Sequence, residues 1–381
     1  MFCKLKKDFS FESDKEVSYF EIDLKEDDKN SQSNTDKYLN EIKESNKKSL
    51  FAGIIVVILL IATILVSFNI GRYAVGINDV IKILFKDIFH FEKTWEDVYE
   101  TIVWNVRVPR IIAALLVGSS LAISGATYQG LFRNPMVSPD ILGASAGASV
   151  GACLMMLFNH DGIIIQISAF CFGLAAVALS YNLSKVLSKS ADAVLMLVLC
   201  GLIVSTLFQA FVSIIKYVAD TDSQLPEITY WLMGSIAKVT YNDILLFLIP
   251  FALGTIPIML IRWQLNVMSF GEEEAKALGV NVSMIRLICI VCSTLLTAGV
   301  VSIAGTVGWV GLMIPHLVRF IVGPNNAKLL PMSFITGALF MLIIDNICRS
   351  ALAYEIPLGV LTSLIGAPFF VLILYKHRGD A

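Results

Sequence analysis

Charge is scarce in this chain: Asp, Glu, Lys and Arg make up 16% of its 381 residues, while 56% are hydrophobic. A soluble domain carries about 25% charged residues, so an ordinary soluble enzyme or binding module is excluded. The formal net charge of −2 says nothing about nucleic acid, but no basic tract runs through the sequence, which leaves no sign of such a partner. Histidine occurs four times, and no H-E-x-x-H or G-x-x-x-x-G-K-[ST] stretch is present. G-x-S-x-G occurs twice, at Gly143–Gly147 and Gly147–Gly151, but inside the apolar run at 141–159 rather than at a strand-to-helix turn, so it makes no nucleophile elbow. The chain is therefore read as a non-enzyme with no catalytic set, no metal site and no cofactor. If ATP drives it, another chain binds the nucleotide. Glycine and proline are missing from residues 1–48, which hold ten Lys and twelve Asp or Glu. Such a segment buries too little apolar surface to offset chain entropy; it is expected to be a charged, disordered or loosely helical tail. It is not read as a signal peptide, because the first apolar run begins only near Leu50.

What is present in quantity is long apolar runs, with a mean hydropathy of +0.74. They fall approximately at 50–70, 105–132, 141–159, 163–187, 193–216, 243–262, 284–304, 307–322, 329–350 and 358–376. A bilayer core about 30 Å thick takes about 20 apolar residues per helix. The expectation is an all-α polytopic membrane protein of about ten transmembrane helices, occupying residues 49–381 behind the 1–48 tail. Connections at 71–104, 217–242 and 263–283 are the longest. With both termini on the cytoplasmic side, thirteen Lys or Arg flank the inner ends and nine the outer ends, which favours that orientation by charge bias.

Small residues recur at four-residue spacing: Gly118, Ala122, Ala126 and Gly130, then Gly143, Gly147 and Gly151. Lipid gives no hydrophobic drive between helices, so close approach through small residues is expected to pack a compact bundle. Asn134-Pro135 and Ser138-Pro139-Asp140 break the chain after the second span, as either a plain loop or a gate. Residues 264–283 carry one short amphipathic helix between Gly271 and Gly279, too short to span, that either docks on a partner or lies on the surface. Residues 304–323, A-G-T-V-G-W-V-G-L-M-I-P-H-L-V-R-F-I-V-G, hold glycines that weaken a helix interior and predict a broken or re-entrant element beside a cavity. His316 there is read as structural or interfacial. Asp345 and Arg349, four apart within a span, call for either a pairing or a functional role. Cys289 and Cys292, one turn apart, are read as packing residues.

The stretch R-V-P-R-I-I-A-A-L-L-V-G-S-S-L-A-I-S-G-A-T-Y-Q-G-L-F-R-N-P-M-V-S-P-D-I-L-G resembles the signature of the FecCD-type permeases. So do G-E-E-E-A-K-A-L-G-V, A-G-T-V-G-W-V-G-L-M-I-P-H-L-V-R and E-I-P-L-G-V-L-T-S-L-I-G-A-P-F-F, in the family's order over about residues 50–378. The resemblance implies a type II ABC importer permease-like bundle in a bacterial cytoplasmic membrane, working as a homo- or heterodimer. Two ABC ATPase subunits would sit inside and an extracytoplasmic substrate-binding protein outside. The cargo implied is an iron chelate, foremost a ferric siderophore, with haem or cobalamin as alternatives. An ion-coupled secondary transporter using Asp345 or His316 is the rival class. Outer-mouth arginines, which receive acidic residues of the binding protein in the family's cobalamin importer, match Arg107, Arg110 and Arg349. The family's cytoplasmic gate matches Asn134, Pro135 and Met136. Its ATPase coupling helix matches Gly271, Glu272, Glu273, Ala275, Leu278 and Gly279. A second gate, with hydroxyl residues in the family, falls near Ser188-Lys189-Ser190-Ala191-Asp192, where Val194 and Leu195 stand at the hydroxyl positions.

Overall fold

The computed structural model describes residues 43–44, 46–71, 73, 75–89, 92–188, 193–352 and 354–378. The chain divides into Met1–Ala52 and Gly53–Ala381. In the first unit the described residues are helical; the tail up to residue 42 lies outside the described residues. All regular structure described is helical. Seven helices are long and apolar enough to cross a membrane: Asn46–Ser67, Asp97–Leu131, Gly162–Leu187, Ala193–Val218, Tyr241–Leu260, Val282–Ala304 and Asn326–Ser350. Three shorter apolar helices join them, at Ala144–Leu157, Val310–Val322 and Leu358–Ile373. The ten expected apolar segments are thus all helices, but two differ in kind. Ala144–Leu157 has 14 residues and Val310–Val322 has 13, about 20 Å each at 1.5 Å per residue. Neither crosses a bilayer alone.

Numbered along the chain, the helices are α1 (Asn46–Ser67), α2 (Ile77–Phe89), α3 (Asp97–Thr101), α4 (Val108–Leu131), α5 (Ala144–Leu157), α6 (Gly162–Leu187), α7 (Ala193–Val218) and α8 (Gln224–Leu232). There follow α9 (Tyr241–Leu260), α10 (Arg262–Met268), α11 (Glu272–Ala277), α12 (Val282–Ala304), α13 (Val310–Val322), α14 (Asn326–Ser350) and α15 (Leu358–Arg378). A π-helical turn, Ile102–Arg107, joins α3 to α4.

Helix α4 is the hub, buried along most of its length and packed by α14, α12, α13 and α9. Its small residues explain why. A Cβ on Gly118 would stand 2.1 Å from the Gly337 carbonyl, and one on Gly125 1.8 Å from that of Gly311. Gly147 and Gly151 bring α5 close to the α6 backbone, where a Cβ would stand 2.5 Å from the Phe172 and Ser168 carbonyls respectively. Hydroxyls bind across the same contacts: Ser124 Oγ donates to the Ser293 carbonyl at 3.2 Å and lies 3.1 Å from Thr297 Oγ1. Between helices in lipid such bonds contribute about 0.6 kcal/mol each, so the close backbone packing carries most of the association.

The 71–104 connection is more ordered than a long exposed loop. Val75, Val80, Ile83, Trp95 and Val103 form a small core of their own, with Phe68, Leu84 and Tyr99 against it. Elsewhere the apolar exposure is large, as on α7 (Leu199, Leu202, Ile203, Ile214) and α9 (Leu245, Ile249, Leu253, Ile256). Apolar side chains facing outward suit helices solvated by lipid tails.

Candidate functional site

Several helix ends meet in one place. Helix α8 stops at Leu232, α12 stops at Ala304, α13 starts at Val310 and α15 starts at Leu358. The backbone groups freed by these breaks bond to one another. Ser235 N–H donates to the Ala304 carbonyl (2.8 Å), Leu358 N–H to Gly234 (2.9 Å) and Gly359 N–H to Met233 (3.0 Å). The Thr306 hydroxyl donates to the Leu232 carbonyl. Only glycine suits two of the positions. Gly234 and Gly305 have φ of +76° and +67°, and a Cβ would lie 2.5 Å from the Thr306 carbonyl and 2.3 Å from that of Trp231.

Beside this knot opens a recess of about 610 Å3, walled by residues that include Asp140, Ser145, Met233, Thr306, Gly308 and Ser363. The Ser145 hydroxyl donates to the Asp140 carboxylate. Asp140 is the ionisable group among the described lining residues, and none of them is basic. The glycine-rich 304–323 stretch is therefore a broken element beside a cavity, as its composition predicts. Irregular backbone at membrane depth is tolerated where it lines such a space. The sequence reading missed Asp140, Ser145, Thr306 and Ser363 as lining residues. Three of them lie in stretches that were singled out: Asp140 in the Ser138-Pro139-Asp140 break, Thr306 in residues 304–323 and Ser363 in E-I-P-L-G-V-L-T-S-L-I-G.

The arginines matched to the outer mouth lie together, and all three are buried. Arg107, at the end of the π-helical turn, donates to the Phe68 and Tyr73 carbonyls. Arg110 Nε donates to Asp345 Oδ1 at 2.9 Å, and its Nη1 to both Glu355 oxygens at 3.0 and 3.1 Å. Arg349 donates to the Ser67 carbonyl at 2.9 Å and to the Asn346 side chain, with its Nε 3.6 Å from Asp345 Oδ2. Their donors are turned into the chain, because a buried guanidinium must be paired. Asp345 and Arg349 thus form part of a four-membered ionic cluster. Its member Glu355 lies in the E-I-P-L-G stretch but was assigned no role from sequence.

At the opposite end of α4 the chain turns at Arg133, with φ of 50°. The Asn134 side chain accepts from Met136 N–H at 2.9 Å. Asn134 and Met136 are exposed and Pro135 half-buried. Of the second gate region, residues 189–192 lie outside the described residues. Val194 and Leu195 begin α7, with Leu195 exposed.

The 263–283 connection folds as two helices, α10 and α11, the second framed by Gly271 and Gly279 at φ +136° and +81°. Ala275 is fully buried, Leu278 exposed, and Glu272 pairs with Arg286 of α12. Lys276 Nζ donates to Glu273 at 2.8 Å, which holds that exposed ammonium above the usual lysine range. The Arg286 pairing was not foreseen. His316 packs edge-on against Phe320, ring centroids 5.0 Å apart. Cys289 and Cys292 are buried, the latter donating to the Leu253 carbonyl at 3.6 Å.

Residues 59–376 match the model of the FecCD transport family. The chain is 40% identical over 335 residues to the molybdate import system permease protein MolB of Haemophilus influenzae, covering 88% of this chain and 97% of that one. It is 39% identical over 278 residues to an iron chelatin transport system permease protein of Helicobacter pylori, covering 73% and 83%. Among solved structures, a metal-chelate type ABC transporter in an inward-facing conformation superposes with a TM-score of 0.76 at 40% identity, over 85% of this chain and 99% of that one.

Proposed function

The chain belongs to the FecCD transport family and is a permease of an ABC importer, and on that premise we propose that it carries an iron chelate, foremost a ferric siderophore. The observation that carries the substrate class is the recess. At about 610 Å3 it is far larger than a tetrahedral oxyanion requires. Its described lining offers the Asp140 carboxylate and hydroxyls but no cation. A dianion such as molybdate needs basic or backbone N–H donors to replace its water; a bulky chelate with its charge spread does not.

Two permease protomers enclose the path, each contributing its recess. Two ATPase subunits bind at the end that carries α11, which serves as the coupling helix through Glu272, Glu273 and the exposed Leu278. Both chain termini lie on that cytoplasmic side. Asn134, Pro135 and Met136 form the gate at the same side of the path. The substrate-binding protein docks at the other end, over Arg107, Arg110 and Arg349. Because these guanidinium groups are turned inward, they shape the rim and its potential and steer the partner rather than forming exposed pairs.

Proteoliposomes holding this permease with its ATPase and binding protein test the substrate directly. ATP-dependent uptake of a ferric hydroxamate chelate, unaffected by excess molybdate, is expected. Uptake of labelled molybdate with no uptake of ferric chelate overturns the assignment.

A further inference from the structure

Helix α11 has few holds on the rest of the protein. It packs on α10 and α12, buries Ala275, and makes one ion pair to another helix among the described residues, Glu272 with Arg286. Its other pair, Lys276 with Glu273, stays within α11 and is exposed. Arg286 lies in the second turn of α12, its side chain only 16% exposed, so the pair is sheltered and less screened than a surface one. Beyond Arg286, α12 is buried along most of its length, with Leu287 and Val291 exposed. Cys289, Ile290, Leu296 and Thr297 are in the interior, and Ser293 and Thr297 bond to Ser124 of the hub helix. The helix is uninterrupted for 23 residues, about 35 Å at 1.5 Å per residue. Its far end, Ala304, whose carbonyl accepts the Ser235 hydrogen bond, leads through Gly305 into Thr306–Gly308, which wall the recess. One stiff rod therefore has the α11 clamp near one end and the recess wall at the other.

We propose that Arg286 is a positioning residue for transport: it clamps α11 to α12 through Glu272, so that a displacement of α11 moves α12 as a rod and shifts the 306–308 wall of the recess. This rests on the reading of α11 as the helix that the ATPase moves. A purely local role for the pair, holding a six-residue helix in shape, would leave the recess responding to nucleotide as before.

The permease–ATPase complex tests this with two separate variants. Glu273→Cys, at a position whose side chain is 84% exposed, reports contact by cross-linking to the ATPase. Gly308→Cys reports on the recess, since a Cβ there meets nothing within 4 Å. It is labelled with an environment-sensitive fluorophore in a background with Cys3 and Cys171 replaced by Ser. ATP is expected to change the fluorescence of the labelled parent. Adding Arg286→Gln should reduce that change at least about fivefold, the scale of an allosteric coupling, with ATP hydrolysis still within about twofold of the parent. The exchanged pair, Glu272→Arg with Arg286→Glu, should restore the response. If Arg286→Gln does not assemble, Arg286→Lys, which keeps the charge and loses the fork, is read in its place and should give an intermediate response. A full response in Arg286→Gln, no rescue by the exchanged pair, or no ATP-driven change in the parent overturns the clamp. Failure of Glu273→Cys to cross-link overturns the coupling reading beneath it.

Discussion

Asp345 has no exposed surface and faces two guanidinium groups, Arg110 at 2.9 Å and Arg349 at 3.6 Å. Removing one partner of a buried ionic cluster costs about 3–5 kcal/mol, because the remaining charge keeps its desolvation penalty. Asp345→Ala should therefore lower the thermal unfolding midpoint of the detergent-solubilised protein sharply, whereas exposed Glu273→Ala should leave it unchanged. Equal midpoints would mean that the arginines find compensation elsewhere. Glycine positions separate in the same way. Gly305→Ala forces a Cβ to within 2.3 Å of a carbonyl at a left-handed φ and should abolish folded yield, while Gly308→Ala meets nothing within 4 Å and should be neutral; size-exclusion profiles check both. The Asp345–Arg349 spacing made one pairing legible from four-residue periodicity. The tie from Arg110 to Glu355 spans 245 residues, and no local pattern encodes a contact at that separation. The inward turn of Arg107, Arg110 and Arg349 was hidden for the same reason, since their matched positions carry no record of the carbonyls and carboxylates that surround them.

Ten helical segments were legible as apolar runs because lipid requires every backbone group to bond within a helix. Their lengths were less so. Helices α5 and α13 are short because Pro139 and the Gly305–Gly308 stretch take up residues in broken backbone, and apolarity continues through both breaks. The 71–104 connection also concealed its helix, whose core draws on Trp95 and Val103 from beyond it. The small-residue stripe was readable as packing, while its partner helix was not. That partner is α14: Gly118 meets Gly337 and Gly337 meets Ala122. Gly118→Leu should separate α4 from α14 and remove the folded protein from membrane extracts. Gly162→Ala, with open space around its Cβ, should change stability by no more than about 0.5 kcal/mol. Similar losses in both variants would detach the stripe from helix packing.

At the scale of the whole molecule, the proposed topology has α11 and both termini in the cytoplasm and the Arg110 cluster outside. His160 and Phe270 are exposed in connections on opposite sides of that arrangement. In a background with Cys3 and Cys171 replaced by Ser, His160→Cys should react with a membrane-impermeant maleimide on intact cells. Phe270→Cys should react only after the membrane is opened; the reverse pattern would invert the topology. The most direct test of the central claim, that this permease works by ATP-driven import through partner subunits, compares energy sources in proteoliposomes. With ATPase and binding protein present, ferric chelate uptake should require ATP and be indifferent to proton or sodium gradients. Uptake by the permease alone, driven by an ion gradient and without ATP, would contradict the account.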